Sequence, residues 1–131
     1  MIELERIMHI EDDLSIQEIT RVALEIVGGF TVLSCSSGAQ GLAEIDRFAP
    51  QLILLDVMMP GMDGPETLSR LRQLPGSAAL PVVFMTAKVQ SHEIDIYRNL
   101  GAAEVIIKPF DPMTLADQIS AIWSQTHVQD H

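Results

Sequence analysis

At 131 residues, 47% of them hydrophobic, the chain has the length of one domain with a full core and is too apolar to stay disordered. Eighteen acidic residues against eight basic ones give a formal charge of -10 with no Lys/Arg cluster, which excludes electrostatic capture of nucleic acid or of an anionic membrane and favours basic or metal-bearing partners. The lone Cys35 excludes an internal disulfide, and no stretch reaches the ~18 consecutive apolar residues of a membrane span, so a reducing, cytoplasmic location is expected.

Arg6-Ile7-Met8-His9-Ile10 reads as a short apolar strand that runs into three consecutive carboxylates, Glu11, Asp12 and Asp13. Such a run is costly unless a cation or a helix start absorbs the charge. Asp13, or Ser15 with Glu18 three residues on, can cap the next helix, whereas Glu11 and Asp12 have no such plain duty. Ile16, Ile19, Ala23, Ile26 and Val27 recur at helical spacing over 14–27, and Gly28-Gly29 ends the run. Residues 30–35 form a second strand, with Cys35 a buried small side chain. Ser36-Ser37-Gly38 then turns into a helix over 39–49, stopped before Pro50.

Leu52-Ile53-Leu54-Leu55 has the continuous apolar character of a strand buried on both faces. Asp56 stands where it gives way to a loop broken by Pro60, Gly61 and Gly64. Taken alone, Asp56 has two readings: a turn-starting carboxylate, or an ionisable group in the crevice beyond the strand ends, where open α/β sheets bind ligands. Pro65 opens a helix marked by Leu68, Leu71 and Leu74 and closed by Pro75-Gly76. After Pro81, Val82-Val83-Phe84-Met85 is a fourth buried strand ending at Thr86-Ala87-Lys88. Ser91 is placed as the cap of a short helix with Ile94, Tyr97 and Leu100, stopped at Gly101. Val105-Ile106-Ile107 is the fifth strand, ending at Lys108-Pro109. Asp111 and Pro112 are placed as cap and first residue of a last helix that carries Leu115, Ile119 and Ile122 past Trp123, leaving 126–131 as a polar, frayed tail.

Strands alternating with helices predict an α/β fold, a five-stranded parallel sheet with five helices on both faces, in a single domain over 1–131 with its core at about 6–125. Glu11 and Asp12, Asp56, Thr86 and Lys108 all follow apolar strands, and in a parallel sheet those ends share one edge. Each has a bland alternative: Thr86 as a turn hydroxyl, Lys108 as a solvated charge. The coincidence of four such positions favours a common site.

Ile10-Glu11-Asp12-Asp13, Leu54-Leu55-Asp56-Val57-Met58-Met59-Pro60-Gly61-Met62-Asp63-Gly64, Val83-Phe84-Met85-Thr86-Ala87 and Lys108-Pro109-Phe110 resemble, in order and spacing, the receiver domain of bacterial two-component response regulators. The likeness runs from about Arg6 to Trp123. It implies a CheY-like, flavodoxin-like (βα)5 fold with strand order 2-1-3-4-5. It also implies that Asp56 is the phospho-acceptor, ionised near neutral pH as an aspartate ordinarily is and so able to attack a phosphohistidine without a general base. Glu11, Asp12, Asp56 and the backbone carbonyl of Met58 then hold Mg²⁺, with Mn²⁺ an alternative, Asp12 binding more directly and Glu11 through water. Lys108 pairs with Asp56 and later with the phosphoryl oxygens, and Thr86 is the switch hydroxyl. The Lys108-Pro109 bond is expected to be cis, against a background of about 5–6% for X-Pro bonds.

One position departs from the pattern. Where the family carries Tyr or Phe three residues before the lysine, this chain has Val105, which cannot make the aromatic rotamer switch, so activation would rest on moving the 87–91 loop and the helix after it. The implied partners are a sensor histidine kinase or histidine phosphotransfer protein and a downstream protein on the helix 4, strand 5, helix 5 face. No direct nucleic-acid or membrane binding is implied, and the chain would be a monomer or a weak phosphorylation-dependent dimer. It would signal by binding a partner or within a phosphorelay, without an output domain of its own, or else be a receiver piece of a hybrid kinase or larger regulator. A phosphate-independent interaction module is a second class. An aspartyl-phosphate hydrolase is a third, disfavoured because Met58 stands where that chemistry wants a second carboxylate. The chain is thus not expected to be an enzyme beyond its own phosphorylation and slow self-dephosphorylation. Among His9, His92, His127 and His131 no metal spacing occurs, and His9 is read as a packed residue.

Overall fold

A computed structural model describes residues 2–87 and 90–128. Met1, the residues Lys88 and Val89 of the expected switch loop, the side chains of His127 and Val128, and residues 129–131 lie outside them. Five strands, β1 (Arg6–Ile10), β2 (Thr31–Cys35), β3 (Leu52–Asp56), β4 (Val82–Thr86) and β5 (Glu104–Ile107), form one parallel sheet in the order β2-β1-β3-β4-β5. The helices are α1 (Leu14–Val22), α2 (Gly38–Phe48), α3 (Gly64–Gln73), α4 (Ser91–Asn99) and α5 (Leu115–Val128).

Side-chain alternation along the strands splits the core into two layers. Ile7, Leu52, Leu54, Val83, Met85 and Ile106 face Leu24, Leu115 and Ile119 on one side. Met8, Ile10, Ile53, Leu55, Val82 and Phe84 face Ile45, Leu68 and Leu71 on the other. All five residues of β3 and of β4 are buried, as the continuous apolar runs require of central strands.

Several element ends differ from the sequence reading, each for a local reason. The first helix changes pitch: Ala23–Val27 forms a π-helical turn, and the run ends at Gly28-Gly29 as read, with Gly29 left-handed (φ 76°). Its buried face is Thr20, Ala23 and Leu24, whereas Ile19, Ile26 and Val27, expected to pack, are exposed. Gln90 occupies the cap position of α4 without a side-chain bond, and Ser91 is already helical. Asp111 caps a turn rather than α5: its carboxylate accepts from the Met113 N–H at 2.9 Å, and α5 begins at Leu115. At its other end α5 continues to Val128, into the stretch expected to fray. The caps at Asp13, Ser37 and Asp63 are side-chain oxygens accepting from the first-turn N–H groups of α1, α2 and α3.

His9, on β1, is fully buried, and neither ring nitrogen finds a hydrogen-bond partner; the hydroxyls of Thr20 and of Ser34, the β2 residue in register with His9, are likewise unpartnered among the described residues. Burial, reinforced by the positive charge of Lys108, lowers the His9 pKa from its ordinary 6.5 to about 3. The ring therefore stays neutral in the folded chain while the unfolded chain takes up a proton below 6.5, so this group removes stability as pH falls from 6.5 toward 3. His9→Leu is expected to abolish that component. Urea unfolding should show the variant gaining on the wild type by about 1.4 kcal/mol per pH unit below 6.5, and a stability difference that does not change with pH would contradict the assignment.

Candidate functional site

Strand register assembles the site. Ile10 pairs with Leu55, so Glu11 emerges beside Asp56; Asp56 pairs with Met85, next to Thr86; Thr86 pairs with Ile107, next to Lys108. Residues up to 97 positions apart thereby gather on one sheet edge. Backbone hydrogen bonds continue past the strands and hold the exits in place: Glu11 N–H to Cys35 O, Val57 N–H to Met85 O and Lys108 N–H to Thr86 O, all 2.9–3.0 Å. The Lys108-Pro109 peptide is cis. The loop after Asp56 is folded back on itself by Gly64, whose N–H donates to Val57 O at 2.9 Å. A Cβ at position 64 would lie 2.7 Å from the Asp56 carbonyl oxygen and 2.8 Å from Val57 Cα, so only glycine lets α3 start this close to the strand end.

The Lys108 ammonium is the centre of the cluster. Nζ donates at 2.8 Å to Glu11 Oε1 and at 2.8 Å to Asp56 Oδ1. Glu11 and Asp56 are only 1% and 5% exposed, so both carboxylates are largely withdrawn from water. Glu11 also accepts the Asp13 N–H at 3.2 Å, and Gln17 Nε2 donates to the Glu11 carbonyl oxygen, tying the strand exit to α1. Burial raises the Glu11 pKa to about 7 against the opposing pull of Lys108 and the Asp13 N–H, with the nearby Asp56 charge adding to the rise. Burial alone would lower the Lys108 pKa; its hydrogen bonds to Asp56 and Glu11 outweigh that and raise it. Lys108 is therefore a fixed cation.

Carboxylate oxygens of Glu11, Asp12 and Asp56 lie within 4.8 Å of one another, with Asp12 the exposed member. Three carboxylates against one ammonium leave an excess of negative charge on hard oxygen donors, the chemistry of a site for a divalent cation. Thr86 is buried on the same edge, and the Met58 side chain projects into solvent just beyond Asp56, 69% exposed. Val105 is not part of this polar group: it packs, partly buried, on the apolar cluster of Phe84, alongside Tyr97. The Glu11–Lys108 contact was missed from sequence, although three acids with one lysine at the same edge already required a shared cation. Beside Lys108, an apolar groove of about 420 Å³ runs between α1 and the β5–α5 connection, lined by Ile16, Ile19, Ala87, Phe110 and Pro112.

Residues 7–120 match the response regulator receiver domain family. The transcriptional regulatory protein CseB of Streptomyces avermitilis is 34% identical over 122 residues, covering 93% of this chain and 50% of CseB. The DNA-binding response regulator MtrA of Mycobacterium tuberculosis is 32% identical over 117 residues, covering 89% of this chain and 50% of MtrA. The chain thus spans about half the length of the curated relatives it matches. Among solved structures, a CheY-like response regulator receiver domain protein from Methanospirillum hungatei superposes with a TM-score of 0.83 at 27% identity, over 97% of this chain and 99% of that one.

With its ammonium removed, two buried carboxylates would face each other. Lys108→Met is expected to destabilise the fold by about 3 kcal/mol, with Glu11→Gln in the same background recovering part of the loss. Chemical unfolding of the two single variants and the double variant reads this directly, and an additive cycle would contradict the shared-cation geometry.

Proposed function

The chain belongs to the response regulator receiver domain family, and on that premise we propose that Asp56 accepts a phosphoryl group from the phosphohistidine of a sensor histidine kinase or histidine phosphotransfer protein. The observation that carries the reading is the 2.8 Å contact between Lys108 Nζ and the Asp56 carboxylate at the buried strand edge. An Asp56 carboxylate oxygen attacks phosphorus, the bond from phosphorus to the donor imidazole breaks, and the electron pair leaves with the imidazole nitrogen. The product is an acyl phosphate. In this reading Lys108 follows the charge from the carboxylate to the phosphoryl oxygens, and Thr86 donates its hydroxyl to one of them. Glu11, Asp12, Asp56 and the Met58 carbonyl would hold Mg²⁺, or Mn²⁺ in its place, and the dication supplies charge stabilisation to the transferring phosphoryl.

Output, in this reading, is a partner protein bound at the α4, β5, α5 face, with the chain acting in the cytoplasm as a monomer or a weak phosphorylation-dependent dimer. The formal charge of -10 argues against direct nucleic-acid binding by this domain, and among the described residues no helix is long and apolar enough to cross a membrane. No reaction is assigned to it beyond its own phosphorylation and slow dephosphorylation. The relatives are named as a transcriptional regulator and a DNA-binding response regulator, so a larger regulator or hybrid kinase containing this domain is the alternative setting. A phosphate-independent interaction module is disfavoured by the intact carboxylate and ammonium cluster.

Incubation with acetyl phosphate and Mg²⁺ is expected to give an acyl-phosphate adduct by intact mass. Asp56→Asn, or chelation of the metal, is expected to prevent it, and an adduct that persists in Asp56→Asn would contradict the assignment. The apolar groove beside Lys108 is suited to seat the phosphodonor. Ile19→Glu should then lower phosphotransfer from the donor protein by at least about tenfold while leaving acetyl phosphate labelling unchanged, as expected for a charge placed in a desolvated contact. Undiminished phosphotransfer from the donor protein would place Ile19 outside that interface.

A further inference from the structure

None of the nine residues of α4 is buried, so this helix is the most weakly seated of the five. Tyr97 is a principal hold on the sheet. Its ring meets Phe84 edge to face, with centroids 5.3 Å apart and planes at 79°, a contact favourable enough to orient a ring and weak enough to be rearranged. Phe84 lies two residues before Thr86 on β4. Tyr97 also lines a cleft of about 580 Å³ together with Val57, Met58, Met59 and Asp63, residues of the loop that leaves Asp56. Burial raises its hydroxyl pKa, and so do the charges of Glu93 on α4 and Asp63 across the cleft. One ring therefore contacts the strand that ends in Thr86, belongs to the helix expected to move, and faces across a shared cleft the loop that starts at the proposed acceptor.

We propose that Tyr97 is a positioning residue that transmits the state of Asp56 to α4, through the cleft it shares with the Val57–Asp63 loop and its edge contact on Phe84. This rests on the phosphorylation reading above and goes beyond it by assigning the coupling residue. The start of the loop is pinned, because Val57 donates its N–H to Met85 and accepts from Gly64. Met58 and Pro60 beyond it are exposed and have room to shift when Asp56 gains bulk and negative charge. A change in that wall alters the space available to the ring, and with no buried residue of its own α4 follows the ring. Val105 packs on the same apolar cluster with a short side chain, so no ring from β5 competes for this place.

Tyr97 is the only tyrosine in the chain, so fluorotyrosine incorporation into the full chain gives a single fluorine resonance. On adding Mg²⁺ and acetyl phosphate, a second resonance is expected, its share equal to the acyl-phosphate fraction found by mass on the same sample. Asp56→Asn should keep only the first. A phosphorylated protein whose resonance does not move overturns the coupling and leaves the acceptor assignment standing; failure to form any acyl phosphate overturns both. Packing is separated from coupling by backbone amide shifts of α4. At equal phosphorylated fraction their response should fall about fivefold in Tyr97→Ala and be retained in Tyr97→Phe, and an undiminished response in Tyr97→Ala overturns the proposal.

Discussion

Two carboxylates leaving different strands, Glu11 from β1 and Asp56 from β3, meet in a nearly water-free edge of the sheet because one ammonium lies between them. Lys108 bonds both at 2.8 Å. Such a cluster is favourable only while every member is paired, since burial withdraws the solvation that each charge would otherwise have. The ammonium thus links β1, β3 and the end of β5 into one electrostatic unit. It also leaves the site short of positive charge, because Asp12 brings a third carboxylate without a second amine. The strained balance shows in Glu11, whose pKa is pushed up to about 7 by burial despite its partner. A site built this way is poised to take up a dication and to respond when the charge on Asp56 changes.

The surrounding scaffold divides into firm and yielding parts. The strand register and the backbone bonds that continue past it fix where Glu11, Val57 and Lys108 emerge, and the missing Cβ of Gly64 allows α3 to brace the Asp56 exit closely. On the other flank, α4 has no fully buried residue and is held by partly buried side chains, Tyr97 on Phe84 among them. Chemistry requires the first property and signalling the second: a rigid edge positions the reacting groups, and a lightly held helix can change its seat for a modest free-energy difference.

Much of this was legible in the chain itself. The apolar runs at 52–55 and 82–85 named two of the three interior strands, and the polar residues after four of the strands named the shared edge, because a parallel sheet places those ends together. The less legible features are those decided by packing. Ile19, Ile26 and Val27 satisfy helical spacing yet are exposed, because the face of this helix that is buried is that of Thr20, Ala23 and Leu24. Asp111-Pro112 has the chemistry of a helix start, but the chain makes one extra turn before α5. The ion pair between Glu11 and Lys108 depends on which of three adjacent acids points inward, and Tyr97 acquires its position only once α4 lies against Phe84. Neither is contained in local periodicity.

If the separated strand ends form one charge-coupled pocket for a cation, titration with Mn²⁺ followed by backbone amide spectra reads it, because paramagnetic broadening reports distance to the ion. The amides of Glu11–Asp13 and Asp56–Met58 should fade first and together, while those of Gly28 and Gly29, at the opposite edge of the sheet, persist. Broadening that spreads evenly over the acidic surface, or that spares Asp56 while affecting another region, would contradict it.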